Sequence, residues 1–338
     1  MTFRVGITPG VLDKAGRPIF DPAAFAVLDA APLAWEHIAL DEAEISPDTA
    51  ARFDALCVML GKVTRATLAR PDRRLKLVAR FGVGYDTIDV PACTEAGVLI
   101  AIAPDGVRRP VASSVMALML ALAHKVLIKD RLVREGRWGE KLDHIGTGLA
   151  GRTLGAIGLG NIGAELMRLV APFGMRLIAH DPFAGAAQAR SLGVTLVDFD
   201  TLLRESDFVS VMCPLSEKTR GLVGAREFGL MKRSAYLINT ARGPIVDERA
   251  LIAALAAGRI AGAGLDVFEV EPTPKDNPLL AFDNVIVAPH GLCFTDECLL
   301  GLARSAFSAA AALAQGRVPD HLVNREALAH PALAHLKP

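Results

Sequence analysis

The chain is predicted to be an α/β protein of two lobes, each built on a parallel sheet with helices against it. Three observations predict this. Strand-length apolar runs alternate with helical patterns almost from end to end, the rhythm of βαβ units. A G-x-G-x-x-G stretch follows a strand pattern and opens a helix. The 338 residues, 51% of them apolar, suffice for two cores of ordinary size.

In chain order, 3–7, 55–60, 75–80 and 98–102 read as strands of the first lobe, with helical patterns at 22–30 and 90–96. The alternation is clearer in the second lobe. A strand at 153–158 is followed by a helix at 162–173 with Leu166, Leu169 and Val170 on one face. Further strands are expected at 176–180, 208–212, 235–238, 262–267 and 285–288. Asp247 is placed as an N-cap, with Glu248 in the first turn and Gly258 stopping an alanine- and leucine-rich run. Residues 295–315 form a long helical pattern that returns to the first lobe. The lobes are therefore expected to be 1–105 with 293–338, and 106–292, with a cleft between them.

Lysine plus arginine and aspartate plus glutamate both number 37. This zero formal charge argues against nucleic acid as an electrostatic partner. The first residues, M-T-F-R-V-G-I, lack the plan of a signal peptide and read as a strand. The longest apolar helical run, 111–128, is interrupted by Ser113, Ser114, His124 and Lys125, so a buried or interface helix is expected rather than a membrane span. Five scattered cysteines without a C-x-x-C pair suit a reducing cytoplasm and no metal site.

In T-L-G-A-I-G-L-G-N-I-G, Gly158 allows a tight turn, Gly160 lets a pyrophosphate approach the backbone, and Gly163 lets helix and strand pack closely. Asn161 and Ile162 open the helix whose N–H groups face the phosphates. Asp181 ends the next strand about twenty residues on, where a carboxylate accepts from both ribose hydroxyls and repels a 2′-phosphate. The expected cofactor is NAD. Its alternative is a turn acid before Pro182; His180 beside it is read as a bystander. Cys213, Pro214, Thr219, Thr240 and Ala241, beyond later strands, join the expected cofactor set.

Three polar groups follow strands of the second lobe: Arg242, then Asp266 with Glu271 shortly after, then His290. Ligands bind at the carboxyl ends of such strands. A guanidinium grips a carboxylate or keto oxygen through its fork of donors. An imidazole passes a proton near neutral pH, and a carboxylate bonded to it sets its tautomer and stabilises the imidazolium. The combination points to chemistry on a 2-oxo or 2-hydroxy acid. Asp266 also reads as a satisfied buried acid, and Glu271 as a turn acid.

G-L-G-N-I-G, H-D-P, N-T-A-R-G-P-I-V-D-E, G-L-D-V-F-E-V-E-P and A-P-H, in that order, resemble the D-isomer-specific 2-hydroxyacid dehydrogenase family, which includes glyoxylate/hydroxypyruvate reductases and phosphoglycerate dehydrogenases. The resemblance covers nearly the whole chain and is strongest from Gly151 to His290. It implies two Rossmann-like or flavodoxin-like lobes, with 106–292 binding NAD and the remainder forming the substrate domain. Arg242 would orient the substrate, Glu271 pair with His290, His290 act as acid/base and Asp266 meet the nicotinamide carboxamide. R-F-G-V-G-Y-D-T-I-D resembles the substrate loop, where the amides of Val83 and Gly84 would bind the carboxylate. A homodimer built around 111–138 is implied as well. The implied reaction is NAD-dependent reduction of a 2-oxo acid to a D-2-hydroxy acid, or the reverse. A second reading from another class is an NADH-responsive, co-repressor-like binding protein.

The sequence departs from the family pattern at Ile102 and Ser113, where asparagine and glutamate are common, and at Gly291, Leu292, Cys293 and Phe294 after the histidine. These leave the hydride chemistry alone and bear on the substrate. Arg108 and Arg109 read either as receptors for a second anionic group or as a solvated or interface pair. Tyr85 either walls the pocket or caps its loop.

Overall fold

The structure is a computed structural model describing residues 2–40 and 43–337. The chain divides into two compact units, Met1–Val107 with Phe294–Pro338, and Arg108–Cys293.

The sheet of the first unit contains β1 (Phe3–Ile7), β2 (Leu33–His37), β3 (Ala55–Val58), β4 (Leu77–Arg80) and β5 (Leu99–Ala101), all parallel, in the order β2-β1-β3-β4-β5. That is the flavodoxin-like doubly wound order. Val78, Ile100, Leu56 and Val58 enter one core with Phe53, Leu75 and Val98. The helix Asp296–Ala314 packs on β3 and β4, so the C-terminal segment does return to this unit. Fully buried Asn324 ties it down. Its Oδ1 accepts from Ile100 N at 2.8 Å, and its Nδ2 donates to Val98 O at 2.9 Å.

The second unit contains β6 (Thr153–Ile157), β7 (Arg176–His180), β8 (Val194–Leu196), β9 (Phe208–Val211), β10 (Tyr236–Asn239), β11 (Gly262–Leu265) and β12 (Val285–Val287). These are parallel, in the order β12-β11-β10-β9-β6-β7-β8. Alternate residues serve opposite faces. Val209, Val211, Leu237 and Leu265 meet helices carrying Leu202, Phe228, Leu251 and Leu255. Phe208, Tyr236, Ile238 and Leu154 meet Leu118, Leu122, Leu166 and Val170. Burial on both faces is what the near-continuous apolar strands require. The chain reverses direction across the sheet between β6 and β9, which opens a crevice beyond their carboxyl ends.

Two of the four edge strands, β2 and β8, escaped the sequence reading. Each pairs on one side only, and L-A-W-E-H and V-T-L carry half-exposed residues rather than a buried apolar run. The pattern at 22–30 becomes a 3₁₀ turn, Pro22–Ala24, and a single helical turn, Ala26–Asp29. The run expected as one helix over 111–128 is two, Pro104–His124 and Val126–Arg134, because Lys125 adopts φ +54°. The carbonyl of Ala123 turns to accept from Thr147 N at 2.7 Å, and Gly146 approaches it too closely for a side chain. Pro104–His124 and Asp296–Ala314 are each long and apolar enough to cross a membrane, yet 56% of each apolar window is buried in the protein.

Candidate active site

The glycine-rich turn follows β6 at the switch point. Gly158 has φ +106°, and a Cβ there would lie 2.9 Å from the Met212 carbonyl carbon and 3.0 Å from Cys213 N, at the end of β9. Only glycine combines that dihedral with that approach. A Cβ on Gly163 would lie 2.5 Å from Gly158 O, so this glycine sets the helix against the turn. At Gly160 a Cβ would meet nothing within 4 Å. The space beside it is the cradle a pyrophosphate needs. The helix Asn161–Val170 begins with no side-chain cap, leaving its first N–H groups to a ligand.

Asp181 lies at the end of β7. Its Oδ2 accepts from Leu159 N, in the glycine turn, and its Oδ1 from Phe183 N, both at 2.8 Å. One carboxylate is thus both the turn acid and a group locked to the pyrophosphate loop, with lone pairs left to accept from ribose. Half-buried Cys213 follows β9; burial pushes its thiol up to about 11, so it lines the crevice as a thiol. Thr219 donates to Pro214 O at 2.7 Å and braces that loop. Beyond β10, the Thr240 hydroxyl is buried without a hydrogen-bond partner. An orphan of that kind fits a site whose remaining partner is a ligand. The open glycine cradle, the uncapped helix and the anchored acid together fit NAD, and Gly158, Gly160, Asn161, Ile162, Gly163 and Asp181 are the residues that would hold its adenosine and pyrophosphate.

The polar groups beyond β10, β11 and β12 form one network. His290 Nδ1 donates to Glu271 Oε2 at 2.7 Å, and Phe268 N donates to Glu271 Oε1 at 2.9 Å. Burial raises the Glu271 carboxyl, but the His290 bond, the Phe268 amide and the nearby Arg242 charge outweigh it and hold the group below its ordinary 4.5. With Glu271 ionised, Nδ1 keeps its proton and Nε2 is the ring nitrogen left for a reacting molecule. His290 adopts φ +52°, a left-handed conformation that few side chains accept. Asp266 holds the turn that imposes it. This buried carboxylate accepts from Gly291 N at 3.0 Å and Leu292 N at 3.1 Å. Desolvation raises the Asp266 pKa despite those bonds and the charge of His290.

Arg242 follows β10 through a turn in which Asn239, readable from the sequence only as a turn residue, is the organiser. Asn239 is buried; its Oδ1 accepts from Ala241 N at 3.0 Å and its Nδ2 donates to Arg242 O at 2.9 Å. The signal was present in an asparagine at a strand end, a residue that builds turns with its own backbone. Asn239 O also accepts from Asp266 N at 3.0 Å, which joins the arginine turn to the acid. Gly243 likewise reads from the sequence as a turn residue, with nothing to mark its close contact. A Cβ there would lie 1.8 Å from Phe268 O, so only glycine lets the Arg242 turn and the Glu271 loop touch.

Arg109 donates to Glu165 Oε1 at 2.7 Å, pinning the helix Pro104–His124 to the glycine-rich helix. An internal carboxylate is thus the anion that Arg109 contacts in this structure. Ser113 and Ser114 both donate to Pro110 O, at 2.8 and 2.9 Å.

Glu271 carries a stability prediction. Its folded pKa lies below its unfolded one, so its contribution is present above 4.5 and is lost as pH falls through the lower folded value. Thermal melts of the native chain should show this loss in the acid range, and Glu271→Gln should lack that portion. Superimposable profiles would show that the pairing adds nothing to stability.

Residues 116–291 match the D-isomer specific 2-hydroxyacid dehydrogenase, NAD binding domain. A glyoxylate reductase of Korarchaeum cryptofilum is 41% identical over 276 residues, 81% of this chain and 83% of that protein. A D-3-phosphoglycerate dehydrogenase of Archaeoglobus fulgidus is 42% identical over 251 residues, 74% of this chain and 47% of that protein, so this chain spans about half its length. A crystal structure of a Pyrococcus horikoshii protein resembles the chain with a TM-score of 0.83 at 26% identity, covering 100% of both. With the glycine cradle, the anchored acid and the histidine–glutamate pair in place, these likenesses make the chain an NAD-binding oxidoreductase that belongs to the D-isomer specific 2-hydroxyacid dehydrogenase family.

Proposed function

We propose that the enzyme reduces a small 2-oxo acid to the D-2-hydroxy acid, or runs the reverse, with His290 as acid/base. The observation that carries this reading is the 2.7 Å bond from His290 to an ionised Glu271. It orients the imidazole and fixes its tautomer while Nε2 stays available. Bound NADH supplies the hydride. Arg242 orients the 2-oxo group, the amides of Val83 and Gly84 receive the carboxylate, and Nε2 of His290 gives its proton to the carbonyl oxygen. In the reverse direction the same nitrogen accepts the hydroxyl proton. In this reading Asp266 would address the nicotinamide carboxamide, and Thr240 and Ala241 would join the residues that hold the cofactor.

The test is NADH oxidation against glyoxylate, hydroxypyruvate, 2-oxoglutarate and larger 2-oxo acids. Turnover with one or more supports the proposal. Tight NADH binding with no turnover would make the chain an NADH-responsive binding protein instead. Asp181→Ala should weaken the preference for NADH over NADPH, read as the ratio of their kcat/KM values. A native enzyme that already favours NADPH would remove Asp181 from this role.

A cytoplasmic homodimer completes the proposal. Exposed Val126, Leu127, Val133, Trp138, Leu142 and Ile145 cluster along one short stretch of the second unit. Such clustering marks association surfaces. Sedimentation as a monomer would exclude the dimer.

A further inference from the structure

We propose that Arg80 is a positioning residue for substrate, holding the Gly82–Gly84 loop in the shape that receives a carboxylate. The inference rests on the function proposed above and adds a residue that acts through the loop rather than on the reacting atoms.

Arg80 ends β4 and is half-buried. Its Nε donates to Gly84 O at 3.0 Å, and its Nη1 donates to Val58 O at 3.0 Å and Met59 O at 2.5 Å, where β3 ends. One planar fork therefore ties the loop to the carboxyl end of the neighbouring strand. The loop needs such a tie. Gly82 has φ +142° and glycine flanks Val83 on both sides, so the backbone has little conformational preference of its own. The N–H groups of Val83 and Gly84 donate to no acceptor among the described residues. Adjacent amides left open in this way form an anion-binding concavity. Bonds from a guanidinium are charge-assisted and directional, and the same positive charge lies within hydrogen-bond distance of the loop, which favours a bound anion. Lysine retains the charge but is a point donor on a flexible stem, which cannot reproduce the fork.

Arg80→Lys and Arg80→Met test the assignment in the full-length enzyme with NADH and glyoxylate, or whichever 2-oxo acid the panel above identifies. KM for the 2-oxo acid should rise roughly tenfold in the lysine variant and further in the methionine variant. kcat should stay within about twofold, the mark of lost binding shared by ground and transition states. NADH affinity, read by fluorescence titration, should not move, because the glycine-rich turn belongs to the other unit. Should the methionine variant not fold, the lysine variant carries the test. Unchanged KM in a folded variant, including one with only a lowered melting temperature, would overturn the positioning role alone. An equal fall in kcat and kcat/KM would also overturn it. A native enzyme inactive on every 2-oxo acid would overturn this inference together with the function it rests on.

Discussion

Replacement of His290 by alanine is expected to lower turnover of a 2-oxo acid by roughly 10²- to 10⁴-fold, the usual share of a positioned general acid–base. NADH affinity should change little, because the groups that would hold adenosine and pyrophosphate lie at β6 and β7. The size of the effect follows from the geometry. Nδ1 is committed to Glu271 at 2.7 Å, so the imidazole meets substrate in one orientation and one tautomer. Glu271→Gln should fall between the native enzyme and His290→Ala, since an amide still reaches the ring but through a weaker, uncharged hydrogen bond. Measurements of kcat with saturating NADH across neutral pH decide the matter. Near-native rates for His290→Ala would remove the histidine from the chemistry.

Gly243→Ala should be nearly as damaging although the added methyl group carries no chemistry. Its Cβ would lie 1.8 Å from Phe268 O and 2.5 Å from Glu269 N. Both neighbours are backbone, so no flexible side-chain end can move aside, and the two loops must separate. The strain is expected to cost about 1–3 kcal/mol of stability. Separation would carry Arg242 away from Glu271 and its bound histidine, and a shift of about 1 Å at a catalytic constellation costs on the order of 10²-fold in rate. The predicted outcome is a lowered melting temperature with kcat/KM down by about that factor, measured on the folded fraction. Native kcat/KM in a folded Gly243→Ala enzyme would show that the contact does not set the catalytic geometry.

Much of the site was legible because its chemistry is local. Gly158, Gly160 and Gly163 are readable as a set, since strand, turn and helix must follow one another at fixed spacing. Asp181 was findable by counting to the next strand end. The Asp247 cap was readable for the same reason; its side chain accepts from Ala250 N three residues on, at 2.9 Å. The acid–base pair was less accessible. Residues 271 and 290 are joined only because β11 and β12 lie side by side in the sheet, and the link between them came from family resemblance. Asn239 and Gly243 were readable only as turn residues, because asparagine and glycine in a loop are ordinary. What distinguishes them is what they touch.

By itself the sequence determined the alternation of strand and helix, the glycine turn with its acid, and the strand ends on which the arginine, acid and histidine would lie. Each depends on apolar period or on spacing along a few dozen residues, and those are written in covalent order. The tertiary structure alone decided that β2 and β8 close the edges, that the long apolar helix breaks at Lys125, and that Arg109 is bound to Glu165. It also decided that Asp266 holds the turn presenting His290, and that Arg80 braces the amide loop. These outcomes depend on which segments become neighbours across a sheet or at a close backbone approach. Distance in space, not distance along the chain, sets those energies.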